Sequence, residues 1–204
     1  MESWKELIYK TLDMLYIPDS LIEMRGRAVL HISDTPSSFY PCLKKLINLL
    51  EPLAVIHTGD LVDEIKLAIQ PNRLQHYIKR LRPLAQILEG GRKRDVIVII
   101  GNHDNEDAAR QVFHKSLIVN KSGSFNVCGV SLNVSHHFEG LPISPGALNL
   151  FGHNQFMPEQ GGGEVYLNGL LSMHLIDPDN GTIHPLSYPR FVDQNRLLKR
   201  KFGL

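Results

Sequence analysis

The chain has 204 residues, 43% of them hydrophobic and 21% charged, and carries a formal charge of +1 at pH 7. That balance excludes a disordered chain, offers no overall field that would steer nucleic acid or an acidic membrane towards it, and suits one domain with a sizeable core. Cys42 and Cys128 are too few for a disulfide framework and fit a reducing, cytoplasmic setting; no leader-like N-terminal stretch and no run long enough to span a bilayer stands out.

Residues 2–16 read as an amphipathic helix. Trp4, Leu7, Ile8, Leu12 and Leu15 fall on one stripe at helical spacing, which predicts core packing, and Pro18 ends it. Residues 1–20 are therefore expected to be a helix added in front of the first core strand of a single domain covering 1–204. Three repeats of one arrangement follow, each a short apolar strand running into a polar turn. They are 27–33 into Asp34, 54–57 into Gly59-Asp60, and 95–100 into Gly101-Asn-His-Asp104. The second and third are almost wholly apolar, as strands buried on both faces should be. Helical patterns lie between them, one over 38–50 (Leu43, Leu46, Ile47, Leu50). The other covers 72–89 (Leu74, Tyr77, Ile78, Leu81, Leu84, Ile87, Leu88), has Pro83 on its polar side and is stopped by Gly90-Gly91.

The second half is β-rich. Residues 124–127 and 130–134 flank Cys128-Gly129 as a hairpin, 148–151 runs into Gly152-His153, and further strands are expected at 165–167, 173–176 and 182–186. Alternating strands and helices followed by strands predict an α/β fold with two stacked mixed β-sheets flanked by helices.

Asp34, Asp60, Asn102, His103, His136, His137 and His153 all follow directly on predicted strands. Sites in open α/β sheets form at the C-terminal ends of strands. A mixed set of Asp, Asn and His suits a borderline divalent cation such as Mn, Fe or Zn. A carboxylate can also bridge two cations, which together clamp the oxygens of a phosphate ester.

On these residues the chain resembles the calcineurin-like metallophosphoesterases, over about residues 27–186. The family pattern is Asp-x-His, Gly-Asp-x-x-Asp, Gly-Asn-His-Asp/Glu, a lone His and Gly-His-x-His. Here it reads Asp34-Thr-Pro36, Gly59-Asp-Leu-Val-Asp63, Gly101-Asn-His-Asp104, His136 and Gly152-His-Asn-Gln155. Gly-Asn-His-Asp after a buried strand is a strong signal, and the ordered set of five is stronger still. The resemblance implies an αββα sandwich that hydrolyses phosphodiesters or small phosphoesters with one or two divalent ions. Manganese is the first choice of ion, with Fe, Zn, Ni or Mg as alternatives. Asp60 would bridge the ions, and Asn102, His136 and His153 would complete one site. The other would use Asp34 and Asp60 but has lost two histidines, to Pro36 and Gln155. His103 would act as general acid or charge stabiliser at the leaving oxygen, with Asp104 on its other nitrogen. Strand alternation would face His137 away from His136, so that only one of them ligates easily, and His137, Asp63 and Gln155 are candidates for contacts to phosphate or for places behind the ions.

The loss of two ligands on one side keeps a second expectation in play: an inactive binding protein on the same fold, which should expose a large apolar patch. Blander readings hold elsewhere. His57 and the other isolated histidines (76, 114, 174, 184) read as core or surface residues, and His31 should lie on the face opposite Asp34. The basic run from Arg73 to Arg94 and the tail Lys199-Arg-Lys201 read as solvated charge rather than a nucleic-acid surface, and Gly161-Gly-Gly163 as a turn.

Overall fold

A computed structural model of the protein describes residues 4–142, 144–159 and 163–196. The helix expected at 2–16 is shorter, with α1 spanning Trp4–Thr11 and a single turn, α2, at Asp19–Ile22. Its stripe does not enter the core. Trp4 is 71% exposed, Leu7 60% and Leu12 62%, and only Leu15 is buried. The physical reason is length: two turns ending in the turn at Asp13, whose φ is 54°, present a stripe that nothing on the sheet side reaches.

The α/β segment follows with β1 (Val29–Ile32), α3 (Tyr40–Leu50), β2 (Ala54–His57), α4 (Leu74–Glu89), β3 (Asp95–Ile100), α5 (Glu106–Val112) and β4 (Leu117–Asn120). The hairpin strands β5 (Ser122–Val127) and β6 (Val130–Ser135) come next, then β7 (Leu148–Phe151), β8 (Val165–Asn168), β9 (Met173–Ile176), β10 (Ile183–Leu186) and α6 (Arg190–Asn195). The hairpin turns through Cys128 at φ 52° and Gly129 at φ 87°, the double left-handed geometry that matches strand twist. Helix α4 runs unbroken through Pro83, whose side faces solvent.

The strands form two mixed sheets. One has the order β10-β9-β1-β2-β3-β4, with β1 to β4 parallel; the other has the order β5-β6-β7-β8, with β6 to β8 parallel. Period-two alternation splits the central strands between two cores. Leu30, Ile32, Val55, Val96 and Val98 pack under Leu43, Leu46, Leu81, Leu84 and Ala109 of the helices. Val29, Ile56, Ile97, Ile99 and Ile176 face Leu132, Val134, Leu150 and Leu167 of the second sheet. This is the expected pair of stacked sheets flanked by helices.

Helix α5, strand β4 and helix α6 have no counterpart in the sequence reading. Helix α5 carries a start signal nonetheless: Asn105 accepts from the Ala108 N–H at 2.9 Å, and Glu106 and Asp107 occupy the first turn. The glycines at 161–162 and the basic tail at 199–201 lie outside the described residues. Among the described residues no helix is long and apolar enough to cross a membrane.

Candidate metal centre

The parallel strands β1, β2, β3, β6 and β7 all end on one edge, and the loops that leave them deliver the site. Three of its residues hold left-handed backbone: Asp34 at φ 49°, Asp60 at 53° and His153 at 55°. Non-glycine residues adopt that geometry rarely and at a cost, and they cluster where function requires a sharp turn off a strand. The turns are tight enough to exclude side chains next door. A Cβ on Gly152 would come within 2.6 Å of Asp34 Oδ2, and one on Gly101 would collide with Asp60.

Asp34 is 3% exposed. Its Oδ2 accepts from Ser33 Oγ at 2.5 Å and from the His153 N–H at 3.1 Å. Burial works to raise its pKa, but His136, Arg196 and these hydrogen bonds outweigh burial and hold it below the usual carboxylate range. Asp60 Oδ1 accepts from the His103 N–H at 3.1 Å and lies 3.6 Å from His136 Nε2. Burial, followed by the facing carboxylates of Asp34, Asp104 and Asp63, pushes Asp60 well above the ordinary range. Ligating atoms of Asp34, Asp60 and His136 lie within 4.8 Å of one another.

His136 fixes the chemistry of the centre. Its Nδ1–H donates to the Thr58 carbonyl at 2.7 Å, which directs Nε2 into the centre. Nε2 lies 2.9 Å from Asn102 Oδ1 and 3.6 Å from Asp60 Oδ1. A ring nitrogen, an amide oxygen and a carboxylate gathered this closely form a mixed donor set that fits a divalent ion. His153 reaches the same place. Its ring centroid is 5.1 Å from that of His136, and burial, then His137 and His136, lower its pKa to about 4, which leaves the imidazole neutral and able to ligate.

Three expectations need correction. His137 does not face away from His136. Strand β6 ends at Ser135, so strand alternation no longer applies, and the His137 ring packs against that of His153, centroids 4.1 Å apart and planes tilted by 56°, with nitrogens of all three histidines within 4.8 Å. Asp104 does not hold the His103 ring. Its carboxylate is taken by the N–H groups of Asp60 (2.9 Å), Leu61 (2.8 Å) and Gly101 (2.8 Å) and by the Tyr77 hydroxyl (2.9 Å). It ties the second and third motif loops together, and His103 Nδ1 is left buried without a partner. Burial, then Lys66 and His153, lower His103 to about 4, which favours its neutral, hydrogen-bonding ring in the free protein. Gln155 is exposed and makes no hydrogen bond to another described residue. It does not stand in for the missing histidine.

Asp63 is 1% exposed and pairs through Oδ1 with the Lys66 ammonium; burial, then Asp34, raise it to about 7. The core reading of His57 matches its geometry, with Nε2 2.9 Å from Thr35 Oγ1 and Nδ1 accepting from the Gly59 N–H. His31 lies off the centre, bonded to His174 and to Thr58 Oγ1. Sequence reasoning missed two residues. Lys66 had a faint signal in its three-residue spacing from Asp63. Arg196 had none. It is fully buried from α6, donates to the carbonyls of Asp34 (2.7 Å), Ser33 (3.1 Å) and Leu170 (2.8 Å), and lies 4.1 Å over the Tyr188 ring.

The calcineurin-like phosphoesterase family model matches residues 27–197. The chain belongs to this family. As a family member it has the scaffold of the metal-dependent phosphoesterases, together with residues able to hold a divalent ion. No curated protein matches the sequence. Among solved structures, YfcE, a phosphoesterase from E. coli, superimposes with a TM-score of 0.51 at 15% identity, covering 80% of this chain and 100% of that one. Likeness at that identity speaks for the fold. The Pseudomonas putida nuclease MPE aligns over 61% of this chain and 60% of its own at 16% identity; its TM-score of 0.38 carries no argument.

Proposed function

We propose that the protein hydrolyses phosphodiesters or small phosphoesters at a divalent metal centre held by Asp60, Asn102, His136 and His153, with Asp34 alongside. The observation that carries this is the close gathering of His136 Nε2, Asn102 Oδ1 and the Asp60 carboxylate. A divalent ion there supplies a Lewis acid for a phosphoryl oxygen and acidifies a water molecule. Manganese suits the mixed nitrogen and oxygen donors. The chain's own groups do the rest. Thr58 fixes the His136 tautomer, Ser33 and the His153 amide orient Asp34, and Asp104 clamps the loops carrying Asp60 and Asn102. His103, a neutral ring in the free protein, gives or takes one hydrogen bond at the leaving oxygen, and a bound phosphate draws its pKa upward. The site residues line an open sheet edge, which suits a diester or a small ester. Arg94 donates to the Gly90 carbonyl and Arg92 lies 3.9 Å from Glu51, so part of the basic run serves local contacts rather than nucleic acid.

The test is hydrolysis of bis(p-nitrophenyl) phosphate with added Mn, set against Asn102→Ala. We expect metal-dependent turnover that the substitution lowers by about 100-fold or more, beyond what groups that only orient ligands give. Absence of turnover with Mn, Ni, Co and Mg, from protein shown to be folded, favours the second reading, an inactive binding protein. One observation supports that alternative: the exposed apolar face of α1, with Trp4, Leu7, Ile8 and Leu12.

A further inference from the structure

The two oxygens of Asp60 face different surroundings. Oδ1 faces His136 Nε2 and the His103 N–H. Oδ2 faces the Lys66 ammonium, 3.9 Å away, and the same ammonium pairs with Asp63 Oδ1. A bridging carboxylate would present one oxygen to each of two cations. Here the intact ligand set lies on one side and a lysine on the other.

The surroundings of that second side explain why a lysine can sit there. Pro36 has no donor atom to offer a metal, and it is buried at the start of a turn whose next residue, Ser37, is bonded to Glu64 through its amide (3.0 Å) and its hydroxyl. Gln155 is exposed. Both nitrogen ligands that would draw a borderline ion are therefore gone, yet Asp34, Asp60 and Asp63, at 3%, 1% and 1% exposure, still gather three buried carboxyls whose ionisation would concentrate negative charge in one place. Burying such charge without a counter-charge is costly. Lys66 is positioned to answer it. It leaves the loop that follows β2, its side chain is 21% exposed so the stem is sheltered, and its head group reaches two of the three carboxylates.

We propose that the Lys66 ammonium occupies the place and supplies the charge of a second metal ion, so that the centre takes one divalent ion per chain. This rests on the metal-centre reading above. An ammonium brings a fixed positive charge and three hydrogen-bond donors, and no Lewis acidity or acidified water. Lys66 would then bind a non-bridging phosphate oxygen while the ion holds another.

Metal content settles this without recourse to activity. Wild type, Lys66→Gln and Lys66→Arg are dialysed to equilibrium against Mn and assayed for metal, with the Mn(II) paramagnetic resonance spectrum recorded and folding checked by thermal melts. We expect one ion with an isolated-ion spectrum in wild type and in Lys66→Arg. In Lys66→Gln we expect a second, weaker ion with a spin-coupled spectrum. Two coupled ions in wild type overturn the role of Lys66 and leave the metal centre standing. A Lys66→Gln protein that stays at one ion also overturns it, because loss of ligands alone then closes the second position. No ion in wild type overturns this inference together with the metal centre itself.

Discussion

Asp60 carries a conflict. Its backbone is left-handed, its side chain is buried, and the carboxylates of Asp34, Asp104 and Asp63 oppose its ionisation. A carboxyl raised in the folded state loses stability as pH climbs from its unfolded value through the folded one. Asp60→Asn keeps the shape and removes the charge. In chelator at pH 8, its thermal midpoint should lie above that of wild type, and added Mn, which raises the wild-type midpoint, should leave the variant's unchanged. A lower midpoint for the variant would mean that Asp60 is already neutralised by Lys66 alone. At this scale the sequence was informative about ligand identity, because Asp, Asn and His after strands carry their chemistry in their names. It was silent about partners. The grip of Asp104 on three amides and Tyr77, and the orphaned Nδ1 of His103, depend on where two loops meet.

Among the elements, the strands were the most legible. Buried parallel strands must be apolar runs, and β2, β3 and β7 fall where the runs do, as does the buried antiparallel strand β9. Short helices were not, since α5 buries three residues and α6 one, and neither shows a sustained period. The stripe of α1 was misread because periodicity reports an apolar face and not what covers it. Helix α6 matters more than its six residues suggest, because it ends at Arg196. Arg196→Leu removes donors from three carbonyls in a dry setting and should cost about 2–4 kcal/mol, read as a lowered denaturant midpoint. It should also weaken Mn binding, since Asp34 sits on the loop released; unchanged Mn affinity would confine Arg196 to stability. Gly152→Ala acts on the same loop from the other side. Its methyl would drive into Ser33 and Asp34, so Mn affinity should fall at least 10-fold with the fold retained.

For the molecule as a whole, pH should act mainly through buried histidines. Burial lowers His57 to about 3 and His174 to about 4, and it lowers His31 well below its ordinary value. Above pH 6.5 these groups are neutral in both states and contribute nothing. Below it the unfolded chain takes up protons that the folded one refuses, so stability falls with pH until the folded values are reached. Each such group removes up to about 1.4 kcal/mol per pH unit. Asp63, raised to about 7, works in the opposite direction across this window, as do Asp60 and Asp104, which are also raised; the lowered histidines, which include His103, His137 and His153, outnumber these three carboxyls. The thermal midpoint should therefore drop between pH 6.5 and 4.5, and a flat profile would mean that these histidines accept protons without unfolding. The stacking of two sheets could be anticipated from the alternation in sequence, whereas the order of strands within them could not. Contacts that close the site across long separations could not, because no local pattern encodes them.

One such contact sets a schedule for the protein's own synthesis. The guanidinium that grips the Asp34 carbonyl lies 162 positions further along the chain. At translation rates of roughly 5–20 residues per second, it follows Asp34 out of the ribosome by about 10–30 s. By the end of that interval the nascent chain carries its aspartates and its strands, and the loop bearing Asp34 has its bonds to Gly59, Asp60 and His153 but not yet the guanidinium clamp. If the centre takes a divalent ion, its affinity should be lower until Arg196 docks, so firm loading and the choice among competing ions are expected to come after translation has passed this residue.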